Sequence, residues 1–170
     1  TIATPNDYHK EIAIAALEAG KNVISEKPVA MNSGELNEMI ECANRCGKLF
    51  TVHQNRRWDQ DYLTIKRLMA ENTLGKVFRI ESRVHGSRGI PGDWRNQPEH
   101  GGGMLLDWGI HLLDQALMMT QPRKLVSVYA ELTYDTKEKC DDGFRATLIF
   151  DDGLSFLVEV ATSNFIELPL

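Results

Sequence analysis

The sequence predicts an α/β chain in two parts: the second half of a doubly wound parallel sheet, then an α+β domain with a mostly antiparallel sheet. Two observations carry this. Residues 1–52 run strand, helix, strand, helix, strand, the order of parallel βαβ units. After about residue 120, three strand-like runs follow one another, the last two joined by Asp151-Asp152-Gly153, a strong hairpin signal.

The first part opens on a β-branched scrap, Thr1 to Thr4, ending at Pro5-Asn6. Asn6 or Asp7 can cap a helix that buries Ile12, Ala13, Ala16 and Leu17 and stops at Gly20. Asn22 to Ser25 reads as a strand running into Glu26-Lys27-Pro28. A second helix spans Ser33 to Cys46, with Leu36, Met39, Ile40 and Ala43 at helical spacing and Gly47 at its end. Lys48 to Val52 is the next strand. The first domain is set at 1–55 and the second at 56–170.

In the second part, a helix covers about Gln60 to Glu71 and a strand Lys76 to Val84. Gly86 to Gly103 is a loop bearing glycine, proline and Trp94-Arg95. A single helix then runs from the glycine run to about Met119. The three strands are Leu125 to Tyr134, Phe144 to Phe150 and Leu154 to Ala161.

A net charge of −5 argues against a general binder of nucleic acid or anionic membrane, since phosphate recognition needs concentrated Lys and Arg. No apolar run is long enough to span a bilayer. Cys42, Cys46 and Cys140 are odd in number and lack zinc spacing, which reads as reduced thiols in the cytoplasm. Both ends read as cut, so a fragment of a longer protein is expected.

The helix after the three glycines holds the main chemistry. At 100° per residue Asp107, His111, Asp114 and Met118 form one stripe on an otherwise apolar helix. Such a helix is normally buried, and its polar groups then need partners. The stripe is either a site or an internal ion pair. His111 is the best proton carrier, and Asp107 or Asp114 can accept a hydrogen bond from its ring. Lys27 follows a parallel strand, where ligands of such sheets gather, and can steady a developing alkoxide. Pro28 would fix its backbone. Otherwise Lys27 is a surface lysine paired with Glu26. Asn6 and His9 sit at the same rim. The alternative for Asp107 and His111 is to ligate a metal with His100 or His53, without supporting spacing. Arg56, Arg57, Arg83, Arg88 and Arg95 surround the junction and the loop.

Thr4-Pro5-Asn6-x-x-His9, Ala19-Gly20-Lys21 with Val23, Glu26-Lys27-Pro28, and Gly101-Gly102-Gly103 with Asp107-x-x-x-His111-x-x-Asp114 occur in this order. They resemble the glucose–fructose oxidoreductase, inositol dehydrogenase and rhizopine-catabolism (Gfo/Idh/MocA) family. Asn55-Arg56-Arg57-Trp58, then a helix and Leu74-Gly75-Lys76-Val77, resembles that family's domain junction. The resemblance implies a Rossmann domain followed by a domain with an open-faced sheet. It implies hydride transfer between NAD or NADP and a secondary hydroxyl of a sugar or cyclitol. It makes Lys27, Asp107 and His111 the catalytic group. Thr4, Pro5, Asn6, His9, Glu26, Lys27 and Pro28 would line the cofactor. Asn55, Arg57, Trp94 and Arg95 would join the catalytic residues around the substrate. No metal is implied, and the second sheet would support a homodimer or tetramer.

The family's glycine-rich phosphate-binding turn is not in these residues, nor is the residue that chooses NAD or NADP. The fragment alone is therefore expected to bind cofactor weakly or not at all, and the final strands of the sheet are expected beyond Leu170. The competing functions are a non-catalytic sugar-binding or regulatory relative, and a metal-dependent hydrolase or lyase using Asp107 and His111.

Overall fold

A computed structural model describes residues 1–164 of the chain. The first part holds α1 (His9–Glu18), β1 (Val23–Ser25), α2 (Ser33–Cys46) and β2 (Phe50–Val52). β1 and β2 pair in parallel, and Ile2 bridges to Ser25 in parallel on the other side. Three chain segments thus present their carboxyl ends to one rim: Thr4-Pro5-Asn6, Glu26-Lys27-Pro28 and His53-Gln54-Asn55. The core beneath them packs Ala13 and Leu17 of α1 against Met39, Cys42 and Ala43 of α2, with Ile2 and Val23.

Local chemistry sets the bounds of α2. Asn32 Oδ1 accepts the Glu35 N–H at 3.0 Å, and Glu35 Oε2 accepts the Met31 N–H at 3.0 Å. The first satisfies a donor that the first helical turn leaves open, and the second ties that turn to the residue before its cap. Gly47, at φ 61°, closes the other end in the left-handed region. The start of α1 differs from expectation. Neither Asn6 nor Asp7 caps it; a 3-10 turn, Asn6–Tyr8, leads directly into the helix.

The second part begins with α3 (Gln60–Ala70) and β3 (Arg79–His85). Its other elements are α4 (Ile110–Thr120), β4 (Leu125–Thr133), β5 (Gly143–Phe150) and β6 (Ser155–Ala161). The sheet order is β3-β6-β5-β4, with β3 parallel to β6 and the other two pairs antiparallel. One face carries Phe144, Ala146, Leu148, Phe150, Phe156, Val158 and Val160. These pack on Met104, Trp108, Leu112 and Ala116 of the helical layer. The opposite face is tiled by charge: Glu159 meets His85 at 2.6 Å, Arg145 at 3.4 Å and Arg83 at 3.6 Å. No helix of the described residues is long and apolar enough to cross a membrane.

Two expectations need correction. The Gly86–Gly103 loop contains two 3-10 turns, Trp94–Asn96 and Pro98–His100. The helix after the glycines is not one α-helix: Leu105–Gly109 is a π-turn, and α4 starts only at Ile110. Position 109 has no room for a side chain, because a Cβ there would lie 2.7 Å from the Phe144 ring. Its absence lets this turn sit directly on β5.

The three glycines stand where a side chain would collide with the packed chain. A Cβ on Gly102 would lie 2.2 Å from the Arg95 carbonyl oxygen, and one on Gly103 2.0 Å from Asp141 Oδ1. Gly101 (φ 71°) would meet the Met31 sulfur at 2.5 Å. Gly102→Ala is therefore expected to destabilise the fold by roughly 1–3 kcal/mol, the usual cost of overpacking. Gly92→Ala, where nothing lies within 4 Å, should be near neutral. Urea unfolding of both variants checks this, and equal midpoints would refute it.

Candidate active site

Lys27 reaches across from the end of β1 to the π-turn. Its Nζ donates to Asp107 Oδ1 at 2.8 Å and to the Asp107 carbonyl oxygen at 2.7 Å. The peptide bond that follows, Lys27-Pro28, is cis. Both side chains of the ion pair are mostly buried, at 17% and 16% exposure. Arg95 holds the other oxygen, Oδ2, at 3.4 Å, and is itself tied to Asp93 at 2.8 Å. An ammonium has three N–H donors, so Lys27 keeps one beyond the two given to Asp107.

These groups wall a cleft of about 280 Å³ between the two sheets, with Thr4, Pro5, Asn6, Glu26 and Trp94. Thr4 Oγ1 and Asn6 Oδ1 are buried there without hydrogen-bond partners among the described residues. Buried polar atoms seldom stay unpaired, so a polar ligand at this rim fits them. Asn6 is held by its amide, which donates to the Gly101 carbonyl at 2.8 Å. Glu26 bonds His53 Nδ1 at 2.7 Å. Burial works to raise the Glu26 carboxyl, but the His53 bond and the Lys27 N–H outweigh it and hold it below the usual range. His9 stands behind the cleft wall: it is fully buried, with Nδ1 2.8 Å from the Pro28 carbonyl and Nε2 3.1 Å from that of Thr4. It braces the two segments that carry the rim. Pro28 is buried in the same way.

His111 is buried in α4, and its Nδ1 has no partner among the described residues. Asp107 does not hydrogen-bond the ring, contrary to the expected tuning, because the π-turn breaks the α-helical stripe and Lys27 claims the carboxylate. The imidazole is pushed down to about 4 from an ordinary 6.5. Burial is the main cause, followed by the charges of Lys27 and Arg56, against smaller opposing effects of Asp107 and Asp59. The ring is thus neutral near pH 7.

That shift has a consequence for stability. Between pH 6.5 and 4 the unfolded chain binds the His111 proton and the folded one does not. This contribution is complete above pH 6.5 and is lost as pH falls toward 4. Thermal midpoints should drop more steeply across this window in the wild type than in His111→Gln. Equal slopes would contradict the burial of the ring.

Other expected site residues divide. Trp94 and Arg95 reach the cleft, with the guanidinium 4.6 Å over the indole. Asn55 lies exposed on a 3-10 turn, Asn55–Trp58. Arg57 is committed elsewhere: it grips Asp114 through two bonds of 2.7 and 2.6 Å, so the pair anchors α4 to the junction, in keeping with an anchoring Asp114. His53 and His100, considered as metal ligands, pair with Glu26 and with Asp7 (3.0 Å) instead. Two residues have roles here that the sequence does not distinguish. Arg56 stacks over Trp108 at 4.1 Å and acts on His111, yet nothing in the sequence separates it from Arg57. Asp141 is buried and accepts the Leu105 N–H at 2.8 Å; it belongs to no motif.

Residues 1–54 match the family model described as the oxidoreductase family, NAD-binding Rossmann fold. Residues 62–166 match the GFO/IDH/MocA C-terminal domain. The chain belongs to the Gfo/Idh/MocA oxidoreductase family. This Gfo/Idh/MocA chain is similar to a solved NAD-binding protein from Listeria innocua, with 54% identity and a TM-score of 0.96. That match covers 99% of this chain and 50% of the other. It is 44% identical to the uncharacterized oxidoreductase YdgJ of Escherichia coli over 69% of this chain and 34% of that protein. It is 32% identical to the scyllo-inositol 2-dehydrogenase (NADP(+)) IolW of Bacillus subtilis over 82% of this chain and 39% of the relative. The chain thus spans about half or less of the length of the proteins it matches.

Proposed function

We propose that the protein containing this chain is an NAD(P)-dependent dehydrogenase acting on a secondary hydroxyl of a sugar, sugar derivative or cyclitol. The carrying observation is Lys27, pinned by Asp107 at the ligand rim of a parallel sheet, with neutral, buried His111 within its electrostatic reach. The similarity to a scyllo-inositol dehydrogenase supports the substrate class.

Thr4, Pro5, Asn6, Glu26 and Pro28 would hold the nicotinamide end, with His9 bracing them from behind. NAD(P), when bound, takes or returns the hydride. Lys27 would give its remaining N–H to the reacting oxygen and steady the charge that develops there. His111, neutral at physiological pH, would remove the hydroxyl proton in oxidation and return it in reduction. Asp107 would fix Lys27, and Arg95 would fix Asp107. Asn55, Trp94 and Arg95 would border the substrate. Because Lys27 and Arg95 already face carboxylates, a neutral polyol suits this cleft better than an acid.

We place the division between the cofactor and substrate domains at 55/56, and the protein in the cytoplasm, where its three free thiols would stay reduced. A homo-oligomer through the second sheet is part of the same reading, and the surface of β4 supports it. In this chain that strand exposes Val126, Val128, Tyr129 and Leu132, apolar surface that a second copy would cover. A monomer mass in sedimentation of the full-length protein would remove this element.

The test is a polyol panel followed by nicotinamide absorbance. Cofactor reduction with a neutral polyol is expected. Sugar binding without any reduction across the panel would instead indicate a non-catalytic relative.

A further inference from the structure

The π-turn that carries Asp107 has no cap from its own approach, since Met104, at its N-cap position, makes no side-chain capping bond. The cap comes from far along the chain. Asp141 Oδ2 accepts the Leu105 N–H at 2.8 Å, and the Asp141 carbonyl accepts the Met104 N–H at 3.0 Å. Two backbone donors where the turn begins, Met104 and Leu105, are thereby met by one residue, and its carboxylate sits at the favourable end of the helical layer.

Asp141 is itself held by its surroundings. Its neighbour Asp142 accepts bonds from the Thr133 hydroxyl (3.1 Å) and, through its carbonyl, from the Thr162 hydroxyl (2.7 Å). These ties fix the β4–β5 connection to the sheet. On the near side, Gly103 leaves the space that the Asp141 carboxylate fills, since a Cβ there would lie 2.0 Å from Oδ1. A continuous mechanical path therefore runs from the rigid sheet through Asp141 to Leu105, two residues before Asp107, and on to Lys27.

We infer that Asp141 is a positioning residue for the Lys27–Asp107 pair: it fixes the π-turn to the sheet so that Asp107 meets Lys27. The kinetic part of this inference rests on the dehydrogenase reading above; the geometric part does not.

The test uses Asp141→Ala in the full-length protein, which removes the acceptor of the Leu105 N–H, with two readouts. The first is the rate at which an amine-reactive acylating reagent labels Lys27, read by peptide mass spectrometry. It should rise several-fold over wild type, while labelling of remote Lys124 stays constant. The second is steady-state kinetics on the polyol that wild type oxidises best. The kcat should fall by about tenfold to a hundredfold, as for a small misplacement of reacting groups, with KM for the nicotinamide within about twofold. Wild-type Lys27 labelling in folded Asp141→Ala would overturn the inference, whatever the stability change. If wild type shows no activity, the dehydrogenase reading fails while the labelling still decides the role of Asp141. Should Asp141→Ala not fold, Asp141→Leu, of similar size but without an acceptor, takes its place under the same criteria; Asp141→Asn, which keeps an acceptor oxygen, should label and turn over like wild type.

Discussion

His111→Ala in the full-length protein is expected to lower kcat by about 10²–10⁴-fold, the usual contribution of a positioned general base. Nicotinamide affinity should change little, because the ring sits in α4 and not among the residues that wall the cofactor rim. The direction with pH also follows. With the free imidazole held at about 4, its base form persists down to that value, so oxidation should lose nothing to His111 protonation between pH 5.5 and 7. Steady-state kinetics with separate cofactor binding by calorimetry checks all of this. Normal turnover in the variant would make His111 a structural residue.

Lys27→Ala should produce a loss of about 10²–10³-fold in kcat, as for removal of one donor to a developing oxyanion. It also strands Asp107, which keeps only the longer Arg95 contact at 3.4 Å, so some stability is lost with it. Lys27→Arg separates the two effects. A guanidinium can restore the ion pair but presents its donors in a fixed planar fork, a poor substitute for one ammonium N–H aimed at a substrate oxygen. Stability should recover in Lys27→Arg while kcat stays low. Recovery of both would show that Lys27 serves only as Asp107's counter-ion.

Much of this site was legible in the sequence. Lys27 could be placed because a parallel strand ending in Glu26-Lys27-Pro28 presents its next residues at the ligand rim. Asp114 could be placed one helical turn from His111, but its pairing with Arg57, which was expected at the substrate, could not be read from spacing. The helical stripe itself was misleading. Spacing by 100° assumes unbroken α-helix, whereas Leu105–Gly109 is a π-turn whose register no local pattern announces. The same turn redirects Asp107 from His111 to Lys27. Asp141 and Arg56 lay beyond reach for another reason: their roles arise from contacts with Leu105 and Trp108, 36 and 52 residues away, that only the packed sheet and helical layer create.

The central claim is that a hydride passes between a polyol carbon and nicotinamide beside Lys27 and His111. Incubating the full-length protein with a polyol deuterated at its carbinol carbons, and weighing the reduced cofactor by mass spectrometry, tests it most directly. One deuterium in the reduced nicotinamide is the predicted result. Reduced cofactor without deuterium, or none formed with any polyol, would contradict it.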